Sequence, residues 1–363
     1  MDVDDTSPQD TVTSGAQRRR NKAANNPVEP TVAPPAAAAA ATQPIEGDED
    51  DTYRTVDLKR VSGGTLTHDA VVFSSDSSLF FLAKDNALAV YNVENAEIIQ
   101  SIAIKHIGKK KMAGQATTIH AIVADPSQTE GRRGVYTFCA DSSARLWDAD
   151  TGCLVSEWRL PGGSAVYAEA DPTRINAFYC AMRQPAAKNQ RPNLDKARYM
   201  ISRITLVDDG SVQTEALFKM TGVVGLCVRG DSEWVAAYSK FRVVLAQVRG
   251  GSGQVVQHTW SMTERVSTLA FHPAEPVLAV GDWRGRIVFW HCVDEQLVGI
   301  QPTTDLQITR NSHHWHAHRV NSVAFAESGT TMLSGGEEGV LVLWQLVTGS
   351  RSFVPRLGSD IMG

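Results

Sequence analysis

The 363-residue sequence is short of several things, and each shortage removes a class of function. It has no run of about 18 apolar residues, so no helix of the chain is expected to cross a bilayer. Its five cysteines, Cys139, Cys153, Cys180, Cys227 and Cys292, are scattered and contain no CxxC pair. An odd number without framework spacing argues against a secreted disulfide scaffold, and reduced, mostly buried thiols are expected. The N-terminus, MDVDDTSPQD, is acidic and lacks an apolar core, so it does not read as a signal peptide. The body is also short of net charge. Of the total of −5, residues 1–51 carry −6 and the remainder carries +1. A body so close to neutral does not attract nucleic acid through its overall field, and any such contact has to come from a local patch.

Signatures of chemistry are missing too. The glycines around Gly250–Gly253 are followed by neither Lys-Ser/Thr nor a helical pattern, so they read as a turn and not as a phosphate cradle. HHWHAH, His313 to His318, is dense in imidazole. Alternate residues of a strand point to opposite faces, so these side chains do not converge on one metal. No Ser/His/Asp order, paired carboxylates or nucleotide fingerprint is present. The expectation is a non-enzyme with no metal and no cofactor.

What is there falls into two textures. Residues 1–51 are rich in Ala, Pro, Asp and Thr and nearly free of large apolar side chains. Such a segment buries too little surface to offset the entropy of ordering, and it reads as a disordered acidic tail. Within it, Arg18, Arg19, Arg20 and Lys22 form a short basic cluster of the kind read by nuclear import receptors. From residue 52 to 363 the chain consists of short runs of Val, Ile, Leu, Phe and Ala, broken by Gly, Asp, Ser and Asn. That is the pattern of many short strands and tight turns, hence an all-β fold.

The strands repeat. A polar turn followed by apolar alternation recurs in DNALAVYN, DSSARLWDADTG, SKFRVVLAQ, GDWRGRIVFW and GEEGVLVLWQLVTG. These copies end on Tyr91, Trp147, Leu245, Trp290 and Trp344, spaced by 56, 98, 45 and 54 residues. RYMISRITLV, Arg198–Val207, is a degenerate copy inside the longest gap. A second motif precedes each copy, as in RVSTLAFHP and RVNSVAFAESG.

HAHRVNSVAFAESGTTMLSGGEEGVLVLWQL resembles a WD repeat. That resemblance implies a β-propeller in which a His, a Ser or Thr, a turn Asp and a Trp form a buried hydrogen-bond relay. Here His316, Ser334 and Trp344 match, and Glu338 stands where Asp is usual. In the second repeat Thr137, Asp141 and Trp147 match, and no His sits at the expected offset. Six four-stranded blades are readable, at about 66–104, 118–158, 164–219, 223–260, 266–310 and 318–356. Tyr53–Val61 alternates as well; either the ring closes with six blades, or this segment is one strand of a seventh that is otherwise missing or incomplete, and the second is favoured because an open ring would expose sheet edges.

Two connections are unusually basic. The first, 105–115, joins the first unit to the second and carries Lys105, Lys109, Lys110 and Lys111. The second, 183–198, joins the second and third strands of the third unit and carries Arg183, Lys188, Arg191, Lys196 and Arg198. Both connection types open onto one end of a propeller. These residues are the candidates for contact with RNA or an acidic partner, and such contact would be salt-sensitive and largely blind to sequence.

The last hundred residues resemble one subfamily more closely. HWH (His314–His316), LSGGEEGVLVLWQL followed by TG (Leu333–Gly349) and the Phe353–Ile361 exit are similar to the WD-repeat subunit of the UtpA (t-UTP) subcomplex of the small-subunit processome, in its N-terminal propeller. The resemblance implies a scaffold of the nucleolus and nucleus in ribosome biogenesis. It implies support of early pre-rRNA processing for the small subunit and of rRNA gene transcription. The partners it implies are other UtpA subunits, snoRNP components and the 5′ external transcribed spacer of the pre-ribosomal RNA, with no membrane. Members of the subfamily are longer, with a second propeller and a helical part. The alternatives are a WD-repeat peptide reader or a ubiquitin-ligase substrate receptor. The first would need an acidic or aromatic cage at the channel mouth. The second usually carries Trp-Asp-x-Arg, and here Asp150 stands in place of that Arg.

Overall fold

A six-residue strand with one apolar face stands only when neighbours pair its edges and another sheet covers the face. The computed structural model meets both needs with stacked blades. It describes residues 71–106, 116–127, 133–185, 194–248, 255–291, 309–355 and 357–361. The chain divides after Asp57, and all described residues belong to the second unit. The N-terminal tail with its cluster Arg18, Arg19, Arg20 and Lys22, the segment Tyr53–Val61 and Cys292 lie outside the described residues.

Among the described residues, the strands form six antiparallel sheets of four, each built from consecutive strands. No α-helix forms there, and Leu194–Lys196 makes a single 3-10 turn. The sheets span 72–103, 119–159, 165–221, 223–261, 266–314 and 320–354. These are the six blades read from the repeat, with one boundary moved. The outer strand of blade 5 is Thr309–His314, so it includes two residues of the histidine run. The innermost strands are Val72–Phe73, Ile119–Ala124, Ala165–Ala170, Val223–Val228, Val266–Phe271 and Val320–Phe325. They stand side by side around one channel.

Each blade holds the next through a shared apolar layer. Leu79, Phe81 and Val90 of blade 1 meet Ile119, Val135 and Trp147 of blade 2. Tyr136 and Phe138 meet Phe178 and Ile204. Tyr179 and Ile201 meet Val235 and Val244. Trp234 and Leu245 meet Leu278 and Trp290. Ile287 and Phe289 meet Met332 and Trp344. The far face of blade 6 differs. Leu333 and Val354 are exposed on it, and Leu341 and Leu343 are half-buried.

Turns set the ends of the strands. Gly285, at φ +80°, turns blade 5 against the chain entering blade 6. A Cβ there would lie 1.9 Å from the carbonyl oxygen of His316. Gly285→Ala is therefore expected to cost more than about 2 kcal/mol, from left-handed backbone strain and overpacking together. Urea unfolding of the chain measures it, and an unchanged midpoint would contradict the packing of this turn.

Candidate interaction face

The relay expected in blade 6 is complete. Trp344 Nε1 donates to Ser334 Oγ at 2.8 Å, and Ser334 Oγ lies 2.7 Å from His316 Nε2. His316 Nδ1 bonds Glu338. A carboxylate only accepts, so Nδ1 carries the proton and Nε2 accepts from the serine hydroxyl. Protons thus point one way along the chain from Trp344 to Glu338. In blade 2, Trp147 donates to Thr137 Oγ1 at 2.9 Å. Asp141 there accepts from Ser143 Oγ at 2.6 Å and pairs with Arg145 at 3.0 Å, where both charged side chains are buried. In blade 5 the relay is broken, because Val280 occupies the place of the hydroxyl and Trp290 Nε1 is buried without a partner. The remaining histidines of the run have separate tasks. His313 packs edge-on against Phe289 and Trp344, and His314 lies 3.0 Å from the carbonyl oxygen of Arg284. These are structural ties that position the loops.

The connections between second and third strands and those between blades emerge at the same end. Lys240, between the second and third strands of blade 4, pairs with Asp195 of the corresponding connection in blade 3 at 2.6 Å. Ile119, entering blade 2, bonds Asp85 in the turn of blade 1 at 2.7 Å. Lys105, Arg183, Lys196 and Arg198 of the basic rim therefore share this end. Lys105 closes its loop by pairing with Ala116, Arg183 ends the strand Ala177–Arg183, and Arg198 begins Arg198–Leu206. Lys105, Lys196 and Arg198 are exposed and Arg183 is half-buried. Lys109, Lys110, Lys111, Lys188 and Arg191 lie outside the described residues. Arg133 is at the opposite end, bonded to Asp150 and, at 2.8 Å, to Ser78, where it fastens blade 2 to blade 1.

The channel opens at the rim end with a volume of about 1040 Å³. Its mouth holds His120, Arg183, Arg265 and Arg319, and its wall is mostly small: Ala121, Ala168, Val224, Thr268 and Ser322. Burial holds the His120 imidazole below its ordinary value, and the nearby Arg183 adds to this. Glu169 lies on the wall. Water reaches it along the channel, but protein surrounds it, and the lost solvation pushes its carboxyl up to about 7. Among the described lining residues, the cations Arg183, Lys240, Arg265 and Arg319 outnumber the carboxylates Asp195 and Glu169.

The model of the first β-propeller of WD repeat-containing protein 75 matches residues 254–363. The chain is 35% identical over 315 residues to WD repeat-containing protein 75 of Danio rerio, which covers 83% of this chain and 34% of that one. It carries a WD-repeat propeller similar to the first propeller of that protein. U3 small nucleolar RNA-associated protein 17 of Schizosaccharomyces pombe is 34% identical over 106 residues, covering 29% of this chain and 12% of its own. Among solved structures, the Cps50 (Swd1) β-propeller domain of Myceliophteria thermophila superposes with a TM-score of 0.57 at 14% identity, over 83% of this chain and 90% of that one. That likeness shows the fold alone. The chain spans about a third of the length of the WD repeat-containing protein 75 relatives it matches.

Against this WD repeat-containing protein 75-like propeller, two features stand out that the repeat pattern does not announce. Ser232 of blade 4 bonds the buried Asp171 of blade 3. Trp283 lies under the guanidinium of Arg265, whose Cζ is 3.7 Å from the ring centre. The arginine and the tryptophan are separated by two strands, Val266–Phe271 and Leu278–Asp282, and the turn between them, and no local sequence signal joins them.

Proposed function

We propose that the chain acts as a non-catalytic scaffold of ribosome biogenesis in the nucleolus, supporting early pre-rRNA processing for the small subunit and transcription of the rRNA genes. The observation that carries this reading is the likeness to WD repeat-containing protein 75 along 83% of the chain. The likeness of 106 residues of the chain to a protein named for association with the U3 small nucleolar RNA supports it. The site supports a role in holding. The polar groups aligned in the relay tie strands together, and among the described residues no cluster of three His, Cys, Asp or Glu gathers to hold a metal. The partners in this reading are UtpA subunits, snoRNP components and the 5′ spacer of the pre-ribosomal RNA, which the rim would hold through its phosphates.

In-cell crosslinking of the tagged chain, with sequencing of attached RNA and identification of co-purified proteins, tests it. Processome subunits with crosslinks in the 5′ spacer support both the scaffold and the RNA contact. Subunits without crosslinks keep the scaffold and remove the rim. The absence of both signals overturns the reading.

The rim also makes a quantitative prediction. Exchanging Lys109, Lys110 and Lys111 for Gln should flatten the plot of log affinity for single-stranded RNA against log salt by about 2, at about 0.7 per phosphate contact. An unchanged slope removes that loop from the RNA contact.

A further inference from the structure

Three arginines line the channel, together with two carboxylates, Asp195 and Glu169. Arg183 ends the second strand of blade 3, Arg265 precedes the inner strand of blade 5, and Arg319 precedes that of blade 6. All three line the same channel. Among the described residues none of them forms an ion pair. Their neighbours do: Lys240 with Asp195 at 2.6 Å, and Arg284 with Glu264 at 2.9 Å. Asp195 and Glu264 are thus spent on other cations, and Glu169 lies on the wall of the channel.

The arrangement fixes the guanidiniums without using their donors. Trp283, 39% exposed, packs against Arg265 at 3.7 Å and Arg319 at 5.2 Å from its ring centre. An aromatic face holds a guanidinium by its plane and leaves the N–H edge free for a bidentate acceptor. Two buried groups in the same wall also stand without a hydrogen-bond partner: Arg319 Nε and, on the inner strand of blade 5, Ser267 Oγ. Ser267 itself is 6% exposed. Arginine donors that meet no carboxylate, held in place by an aromatic ring, are left for an acceptor that enters the channel.

We propose that this mouth is a docking site for an acidic, extended peptide segment of a protein partner. Its carboxylates are held by Arg183, Arg265 and Arg319, and the small neutral residues that follow run down the channel. Two observations favour a peptide over RNA. The face of Trp283 is already occupied by Arg265, which leaves no platform there for a base to stack on. Glu169 stands further along the wall, and a polynucleotide would bring a phosphate past it at every step, whereas a peptide confines its charge to the mouth. The small side chains of the wall suit a strand-like segment in the same way. This inference concerns the isolated propeller and does not depend on the processome reading.

The test is fluorescence anisotropy of the chain 1–363 with a fluorescein-labelled peptide, EDEDAGAG, beside its neutral counterpart QNQNAGAG and a labelled decauridylate. A second preparation carries Gln or Asn in place of Glu46, Asp48, Glu49, Asp50 and Asp51, so that the chain's own acidic run does not compete. The acidic peptide should bind and the neutral one should not. Arg265→Glu with Arg319→Glu should weaken the acidic peptide at least tenfold, and Arg319→Lys, which keeps the charge but not the fork, should weaken it less. Circular dichroism and the melting temperature confirm that each variant is folded. If the charge-reversed pair misfolds, Trp283→Ala serves instead, with the same expected direction. Acidic-peptide binding that is unchanged in the folded variants, or absent from both preparations, overturns the proposal. So does decauridylate that binds more tightly than the peptide and loses its affinity in the same variants.

Discussion

Trp344→Ala should lower folding stability by about 3–5 kcal/mol, the cost of emptying a large buried site that its neighbours cannot fill. The indole is 5% exposed and fills the layer between blades 5 and 6 with Phe289, Met332 and Val342. It also feeds the relay, and its removal leaves Ser334 without its donor. Trp344→Phe separates the two effects, since it keeps most of the packing and loses the N–H, at a cost of about 1 kcal/mol. Trp290→Phe in blade 5 is the control, because that indole N–H is buried with no partner and its loss removes no hydrogen bond. Urea unfolding of the full chain reads all three. A loss below about 1 kcal/mol for Trp344→Ala would mean that the blade 5–6 layer is not packed around it.

The second large effect is expected at Arg145. Its side chain is 1% exposed, its partner Asp141 is fully enclosed, and the pair is 3.0 Å apart. Arg145→Leu leaves the carboxylate buried without its countercharge, and removal of one member of such a pair costs about 3–5 kcal/mol. Replacing both residues should cost less than the sum of the single changes, since the double variant strands no charge. Asp141 also accepts from the Ser143 hydroxyl, so the double variant is not expected to be neutral. A thermodynamic cycle over the four proteins measures the coupling, and strict additivity would show that the pair is not held as a unit.

Much of this architecture was legible in the sequence because each blade is a local object. A turn, an alternating strand and a bulky end lie within a dozen residues, so Trp147, Trp290 and Trp344 announce three blades directly. The relay of blade 6 was legible for the same reason, including the substitution of Glu338 for the usual Asp. The outer strand of blade 5 was placed too early, because TRNSHH shows no apolar alternation. That strand is fixed by its pairing with Arg286–His291 and by the contact of His313 with Trp344. The mouth of the channel was not legible at all. Arg183, Arg265 and Arg319 stand in different blades, and only the circular arrangement brings them to one channel, whereas Trp283 reaches Arg265 through the strand pairing of blade 5. The link from Ser232 to Asp171 was hidden for the same reason, since it joins residues 61 positions apart. Distance along the chain, not chemistry, separates what could be read from what could not.

The stacking of the blades has a consequence for how the chain comes apart. Among the described residues, blades 2 to 5 are each clasped on two sides by the apolar layers described above, whereas blade 6 is clasped on one, with Leu333 and Val354 exposed on its other face. Such an array behaves less like a hoop, which fails everywhere at once, than like a row of books that loosens from an unsupported end. Slow amide exchange should concentrate in the middle blades, and the strands Leu341–Gln345 and Arg351–Val354 should exchange early, as the least supported cooperative unit of the row.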